Sequence, residues 1–200
     1  MSVNPNSTPP LAEAGIRVLL EYLEEDVDRE GLLETPARVV KAFRELTWGL
    51  RVNEKDFLES ISKDFEVEHD QMIVVRNVQF TSLCEHHLLS FSGSVTLAYL
   101  PDPENSKVLG LSKLARLIEF YAARPQVQER MTSQIASALQ KMVNPAGVGV
   151  WVDAVHSCMC IRGVKARGSS TVTSDLRGVI KTNSDSRAEF MSLARMNTFS

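Results

Sequence analysis

The chain alternates between two hydrophobic periodicities, which divide it into helices and strands. Apolar residues recur every three or four positions in the first 50 residues, as on one face of a helix, whereas Val95, Leu97 and Tyr99 alternate as on a strand. Pro125 breaks the long helical pattern after residue 111 into two helices. These patterns predict helices at about 11–23, 36–49, 112–123, 126–143 and 186–196, and strands at 72–82, 89–100, 147–160 and 171–181.

The order of these elements predicts an α+β fold. Two strands are followed by two helices, and then by two more strands and a closing helix, without the regular βαβ alternation of a parallel doubly wound sheet. We therefore expect an antiparallel sheet with helices on one face and an amino-terminal helical extension. The expected organisation is a disordered tail at 1–9, rich in Pro, Asn and Ser, a helical region at 10–60 and the sheet-containing domain at 61–200.

Composition narrows the classes of function. The 200 residues are 44% hydrophobic and 24% charged, which suits an ordinary packed core, and no apolar run approaches the length of a membrane helix. The segment MSVNPNSTPP lacks the basic and apolar regions of a secretory signal, so we expect a cytoplasmic protein without a membrane partner. A net charge of −3 provides no basic field for nucleic acid.

Cysteine and histidine residues are concentrated in two short segments. Cys84 and His87 are three residues apart, a spacing at which a short turn directs both side chains at one ion. The second segment is a predicted strand that, if regular, carries on one face His156, Cys158, Cys160 and Arg162. Sulfur and imidazole ligands favour zinc over magnesium or calcium, and three protein ligands leave a fourth position for water, as in hydrolytic zinc enzymes.

Other interpretations of the cysteines stay open at this point. They can be small buried hydrophobic residues, with the histidines making ordinary hydrogen bonds. A Cys158–Cys160 disulfide is unfavourable, because residues two apart on an extended strand have Cα atoms about 6.6 Å apart, near the limit of disulfide geometry. An odd number of cysteines in a chain of this length also argues against a secreted disulfide framework.

A second candidate site lies at the start of the helix predicted after residue 110. In the segment GLSKLAR, Ser112 is the expected cap, and Lys113 and Arg116 lie three apart on one face. Free backbone N–H groups and the helix dipole attract anions at such an end, so the pattern suits phosphate. Arg162 can add charge from the loop after the cysteine strand. The alternative is a solvated basic helix face.

Four segments together resemble the GTP cyclohydrolase I family. They are CEHH at 84–87, GLSKLARL at 110–117, RPQVQERM at 124–131 and HSCMCIRG at 156–163. The resemblance extends from about Leu33 to the terminal helix. It implies the tunnelling fold, with residues 61–200 as the catalytic domain, in which antiparallel sheets of several subunits close into a barrel. It also implies a homodecamer with sites between neighbouring subunits.

The resemblance implies a zinc centre and a set of proton-transfer groups. Histidine suits proton transfer because its unperturbed pKa, about 6.5, allows donation and acceptance near neutral pH. The implied zinc ligands are Cys84, His87 and Cys158. The implied catalytic groups are His86, His156 and Ser112.

The resemblance further implies that GTP is the substrate. Guanine recognition falls to Gln128 and Glu129, and a carboxylate can accept two hydrogen bonds from the adjacent N–H donors of guanine, which adenine lacks. The implied reaction opens the imidazole ring of GTP by hydrolysis, releases formate and forms 7,8-dihydroneopterin triphosphate. The implied triphosphate contacts are Ser112, Lys113, Arg116, Arg162 and Arg38.

Two other functions remain compatible with the sequence. One is a different tunnelling-fold enzyme that acts on a purine or pterin. The other is a non-catalytic zinc or nucleotide-binding module. A closed structural zinc site needs a fourth protein ligand, for which Cys160 or His86 is the nearby candidate.

Overall fold

The computed structural model describes residues 9–66, 69–104 and 107–196. The chain forms two compact units, one ending at Trp48 and the other beginning at Gly49. Of the tail predicted at 1–9, all but Pro9 lies outside the described residues. In the described part of the chain, no helix is long and apolar enough to cross a membrane.

Among its described residues, the first unit contains two α-helices in contact with each other. Helix α1 spans Pro9–Tyr22, a 3-10 turn spans Glu30–Leu32 and helix α2 spans Thr35–Leu46. Pro36 lies in the first turn of α2, where its fixed φ favours the helix and its missing N–H costs no hydrogen bond. Both helices predicted for this region are therefore confirmed.

The second unit contains a five-stranded sheet, a two-stranded ribbon and six helices among its described residues. The strands are β1 Asp64–Glu66, β2 Ile73–Cys84, β3 Ser90–Leu100, β4 Lys107–Leu109, β5 Pro125–Gln126, β6 Gly147–His156 and β7 Thr171–Arg177. The helices are α3 Glu54–Ile61, α4 Leu111–Ala122, α5 Gln128–Val143, α6 Ser157–Cys160, α7 Gly178–Thr182 and α8 Ser184–Arg195. A 3-10 turn spans Trp48–Leu50.

The five-stranded sheet has the order β5-β2-β3-β6-β7. All its pairs are antiparallel except that of β2 with the two-residue β5, and β1 pairs antiparallel with β4. The predicted α+β class with an antiparallel sheet is thus confirmed. The β3–β6 pairing places Phe91 opposite His156 and Leu100 opposite Gly147. This register brings the carboxyl ends of β2 and β6 to the same end of the sheet.

The core lies between the sheet and helices α4 and α5, which contact β2, β6 and β7. Alternate residues of the two central strands are fully buried, namely Val95, Leu97, Tyr99, Val148, Val150 and Val152. Burial of each such side chain contributes roughly 1.5–3 kcal/mol. Truncation of one of them, Leu97→Ala, is expected to cost about 2–5 kcal/mol, because a cavity remains.

Helix α8 packs near the end of β3, in a smaller apolar cluster. Phe190 is fully buried there with Ala98 and Ile180. Gly149 pairs with Ala98 across the sheet, and a Cβ at Gly149 would lie 3.0 Å from the Phe190 ring. A side chain at position 149 would therefore displace α8. This contact holds α8, the closing helix that the sequence predicts, against the sheet.

Two strand predictions were too long at their carboxyl ends. The strand predicted at 147–160 ends at His156 and continues as helix α6, because beyond His156 neither β3 nor β7 offers a paired residue. Unpaired backbone groups then bond locally, as Ile161 N does to Ser157 O at 3.0 Å. The strand predicted at 171–181 ends at Arg177, where Gly178 takes a left-handed φ of 55° and begins α7.

Candidate active site

The three predicted metal ligands lie together at one end of the sheet. The Sγ atom of Cys84 is 3.8 Å from Nδ1 of His87 and 4.0 Å from Sγ of Cys158. All three ligand atoms lie within 4.8 Å of one another. The structure therefore joins the two sequence segments, which are more than 70 residues apart, into one group that could hold a metal ion.

A tight turn after β2 presents Cys84 and His87 on the same side. The N–H groups of His87 and Leu88 both donate to Cys84 O, at 3.3 and 2.8 Å, and Cys84 N donates to Leu89 O at 2.8 Å. Leu88 takes a left-handed φ of 55°, an uncommon conformation for a residue of its size. Such backbone strain is maintained where surrounding contacts fix it, and it is frequent at functional sites.

Helix α6 delivers Cys158 to the same place. The strand ends at His156, and the Oγ atoms of Ser90 and Ser157 lie 3.2 Å apart, which ties α6 to the start of β3. The helical turn also separates Cys160 from Cys158. The expectation that His156, Cys158, Cys160 and Arg162 share one strand face is therefore wrong. Cys160 Sγ lies 3.5 Å from Ala166 O and is not part of the Cys84–His87–Cys158 group.

The donor set fits a tetrahedral ion such as zinc. Bonds of about 2.3 Å to sulfur and 2.0 Å to nitrogen place tetrahedral donor atoms about 3.5–3.8 Å apart, close to the separations observed. Cys84 is buried, Cys158 is half-buried and His87 is exposed, so one side of the group is open. Burial and the neighbouring Cys84 thiol raise the pKa of Cys158. A bound cation would reverse that effect, because it stabilises the thiolate.

His156 lies beside this group with its ring held on two sides. The Phe91 ring stacks on it, with centroids 4.6 Å apart and planes within 2°, and Nε2 lies 2.8 Å from Gln128 Oε1. Burial lowers the pKa of His156, because it disfavours the charged ring, and the carboxylate of Glu129 opposes that shift. The balance favours the neutral ring at neutral pH.

Gln128 and Glu129 begin helix α5 but differ in exposure. Gln128 is 1% exposed, and its side-chain nitrogen has acceptors at Val152 O, Thr171 O and Thr173 Oγ1, at 2.9–3.3 Å. Its oxygen faces His156. Glu129 is exposed in the first turn of the helix. Of the two residues predicted to recognise guanine, Glu129 presents the accessible side chain.

Known proteins resemble the chain over most of its length. A family model described as GTP cyclohydrolase I matches residues 12–195. The chain is 49% identical over 184 residues to GTP cyclohydrolase 1 of Desulforamulus reducens, covering 92% of this chain and 96% of the relative. It is 50% identical over 182 residues to GTP cyclohydrolase 1 of Mycolicibacterium paratuberculosis, covering 91% and 87%. The chain belongs to the GTP cyclohydrolase I family.

Family membership confirms the resemblance that the four sequence motifs indicated. Two of those motifs, CEHH and HSCMCIRG, supply the Cys–His–Cys group described above. A third, RPQVQERM, supplies β5 and the start of α5. Three of the four family motifs thus meet at one end of the sheet.

The fourth motif begins helix α4, where three predicted triphosphate contacts lie. Ser112 is not the cap that the sequence predicted: Gly110 is the cap residue, and Lys113 N bonds to Gly110 O at 2.8 Å, so Ser112 lies inside the first turn. Ser112 and Arg116 are exposed. Just before α4, Leu109 N donates to Tyr99 Oη at 2.9 Å, so α4 begins toward the carboxyl end of β3.

The opposite end of α4 leads back to the Cys84–His87–Cys158 group. After Ala122 the chain forms β5, in which Gln126 pairs with Cys84. Ser112 is ten residues before Ala122, or about 15 Å along a helix axis. Within one chain, the start of α4 and the Cys–His–Cys group are therefore at opposite ends of this helix.

The remaining predicted site residues occupy different surroundings. His86 is exposed, and its ring centroid lies 6.2 Å from that of His87. Arg162 is exposed just after α6, and its charge partly offsets the rise in the Cys158 pKa. Arg38 is in the first unit, where it forms an exposed ion pair with Glu34.

An ion pair that the sequence analysis missed joins two of the family motifs. Arg130 pairs with Glu85, the residue between Cys84 and His86, and Arg130 Nε also donates to Gln126 Oε1 at 3.0 Å. Glu85 N donates to Gln126 O at 3.0 Å. Hydrogen bonding to Arg130 lowers the pKa of Glu85. The only sequence signal was the opposite charge of two residues within separate motifs.

Proposed function

We propose that this protein is a GTP cyclohydrolase I, which opens the imidazole ring of GTP by hydrolysis, releases formate and forms 7,8-dihydroneopterin triphosphate. The observation that carries the proposal is the Cys84–His87–Cys158 group, open on one side and adjacent to His156, in a chain matched by the family model from residue 12 to 195. In this proposal residues 61–200 are the catalytic domain.

Zinc is the proposed metal, held by Cys84, His87 and Cys158. When bound, it would act as a Lewis acid and lower the pKa of a water molecule, so that hydroxide is available at neutral pH. The open side of the group gives substrate access. The mixed sulfur and nitrogen donors support zinc over magnesium, which prefers oxygen ligands.

His156 and His86 are the proposed acid–base groups. The burial that lowers the pKa of His156 keeps its ring able to accept a proton near pH 7, and the imidazolium can then return that proton to a ring nitrogen of the purine. His86 is exposed beside the metal ligands and can exchange protons with solvent. Ser112 is proposed to assist later proton transfers.

Glu129 is the proposed selector of guanine. Its exposed carboxylate can accept two hydrogen bonds from the adjacent N–H donors on the pairing edge of guanine. Adenine lacks that pair, so its binding would leave the carboxylate without partners. We expect ATP to be a poor substrate for this reason.

The triphosphate is proposed to bind Lys113, Arg116 and Arg162, with Ser112 and Arg38 as further contacts. Lys113 lies at the end of α4 that is far from the Cys84–His87–Cys158 group of its own chain. This supports sites between subunits, in which a neighbouring chain brings the start of its own α4 to that group. A homodecamer is the proposed assembly. Closure of several sheets would also cover the strand edges that one subunit leaves open.

The test is to incubate the zinc-loaded protein with GTP while formate and the pterin absorbance are followed. Equal amounts of both products are expected from the unaltered protein, with neither product from Cys158→Ala and none from ATP. A zinc-loaded, folded protein that binds GTP but releases no formate would refute the proposed reaction. Formate release that is unaffected by loss of zinc would refute the role of the metal.

A further inference from the structure

The orientation of the Gln128 side-chain amide follows from the groups that surround it. Its Nε2 atom lies 3.3 Å from Val152 O and 2.9 Å from Thr171 O. A backbone carbonyl can only accept a hydrogen bond, so the amide N–H₂ must face these two atoms. The reverse orientation would place the amide oxygen against two acceptors, in a position that is 1% exposed.

Two threonine hydroxyls support the same orientation independently. Thr132 Oγ1 donates to Gln128 O at 2.8 Å, which uses its single proton. In the 2.7 Å contact between Thr132 Oγ1 and Thr173 Oγ1, the donor is therefore Thr173. Thr173 Oγ1 can then only accept from Gln128 Nε2, which is 3.1 Å away. The two hydroxyl protons thus have one consistent arrangement, and the two amide protons of Gln128 are shared among three acceptors.

The amide oxygen of Gln128 consequently faces His156, and this fixes a proton on the imidazole. Nε2 of His156 lies 2.8 Å from Gln128 Oε1, an atom that can only accept. We infer that Gln128 is a positioning residue that holds the neutral His156 ring in the Nε2–H tautomer, with Nδ1 as its unprotonated nitrogen.

Phe91 completes the restraint on the ring. The hydrogen bond from Nε2 limits rotation of the imidazole, and the parallel stack with Phe91, with planes within 2°, fixes the tilt of its plane. Phe91 is itself fully buried and pairs with His156 across β3 and β6. A histidine held in this way presents Nδ1 in one direction, as precise proton transfer requires.

This role differs from contact with the substrate base. The polar atoms of the Gln128 side chain already have partners within the protein, whereas Glu129 beside it is exposed. The tautomer is a property of the protein without substrate. Its effect on turnover rests on the proposed GTP cyclohydrolase reaction, so the two claims can be tested separately.

The test of the tautomer is 15N NMR of the zinc-loaded protein labelled at its four histidines, with the His156 signals identified by their loss in His156→Ala. We expect a protonated Nε2 and an unprotonated Nδ1 for His156 in the neutral ring. In Gln128→Met, which has similar length but no acceptor, we expect the Nδ1–H form to appear. A protonated Nδ1 in the unaltered protein would overturn the inference even if Gln128→Met failed to fold.

Thr173→Val is the matched control. It removes an acceptor on the far side of the same amide but leaves Gln128 Oε1 facing His156, so the tautomer should be unchanged. An equal change in Thr173→Val and Gln128→Met, or none in Gln128→Met, would overturn the role of the Oε1 acceptor. In turnover assays Gln128→Met should lower kcat about tenfold or more, with the KM for GTP within about twofold. A raised KM with unchanged kcat would instead indicate contact with the base.

Discussion

The thiol of Cys158 lies 4.0 Å from the thiol of Cys84, although 74 residues separate them in the chain. The contact depends on two changes of backbone direction, the turn after β2 and the helical turn α6 after β6. The closeness of the two thiols raises the free-energy cost of ionising both of them, and a bound cation would remove that cost. The geometry therefore links metal binding to the way the two strands end.

Cys160 should be dispensable for metal binding. Its Sγ atom contacts Ala166 O rather than the three ligand atoms, so Cys160→Ser should keep about one metal ion per chain. Cys158→Ser removes a ligand and should lower metal affinity by at least about 100-fold. Metal content after dialysis against a weak chelator measures both. Loss of the ion from Cys160→Ser would mean that Cys160 is the fourth ligand of a closed structural site.

The sequence was sufficient to predict the main elements but not how they end. The long strands and helices were identified because their hydrophobic period persists over many residues. The end of β6 depends on where β3 and β7 stop pairing with it, which is a long-range fact that local periodicity does not contain. For the same reason Cys158 and Cys160 were predicted to share a face that the α6 turn divides.

The site was predicted unevenly, for a related physical reason. The metal ligands were predictable, since cysteine and histidine carry distinctive chemistry within motifs that resemble a family. The partners that hold His156 were not predictable. Phe91 has the pattern of an ordinary core residue, and the contacts of Gln128 join α5, β6 and β7. Only the strand register brings these side chains together.

Gly93 should be essential for the position of His156. It lies in β3 opposite Ala154, and a Cβ at this position would fall 2.0 Å from Asp153 O. Gly93→Ala must therefore push β6 away from β3, at a cost of about 3 kcal/mol or more, and should weaken metal binding. Urea unfolding and metal content are the measurements. Ser92→Ala, on the neighbouring exposed residue, is the control and should leave both nearly unchanged.

The Glu85–Arg130 ion pair should align the metal-binding turn with the start of α5. Glu85→Gln should keep its metal, because Glu85 is not a ligand, but should raise the KM for GTP by about two- to fivefold, since Glu129 adjoins Arg130. Arg130→Gln should act similarly, and the double variant should be no worse than either. Additive effects of the two changes would show that the pair is not the cause.

Asp175 should make stability depend on pH in acid. Burial alone would raise its pKa, but hydrogen bonds from Arg177 and Ser133 outweigh this and lower it. A lowered pKa in the folded state means that the stabilisation is present above the unfolded pKa, about 3.9, and is lost as pH falls below it. Asp175→Asn should lose about 0.5–1 kcal/mol at pH 7 and little at pH 3. Urea midpoints across this range provide the test, with the exposed Glu189→Gln as a control.

Two inactive variants should restore activity to each other if sites form between subunits. Lys113 lies in the first turn of α4 and Cys158 lies beyond the other end of that helix, so Cys158→Ala and Lys113→Ala would damage different halves of a shared site. Mixed oligomers then contain some sites with both halves intact, and co-expression should recover part of the formate release. Cys84→Ala with Cys158→Ala is the matched control, because both changes damage the same half and cannot complement each other. If tagged mixed oligomers form but the Lys113→Ala and Cys158→Ala pair stays inactive, both groups must act within one chain.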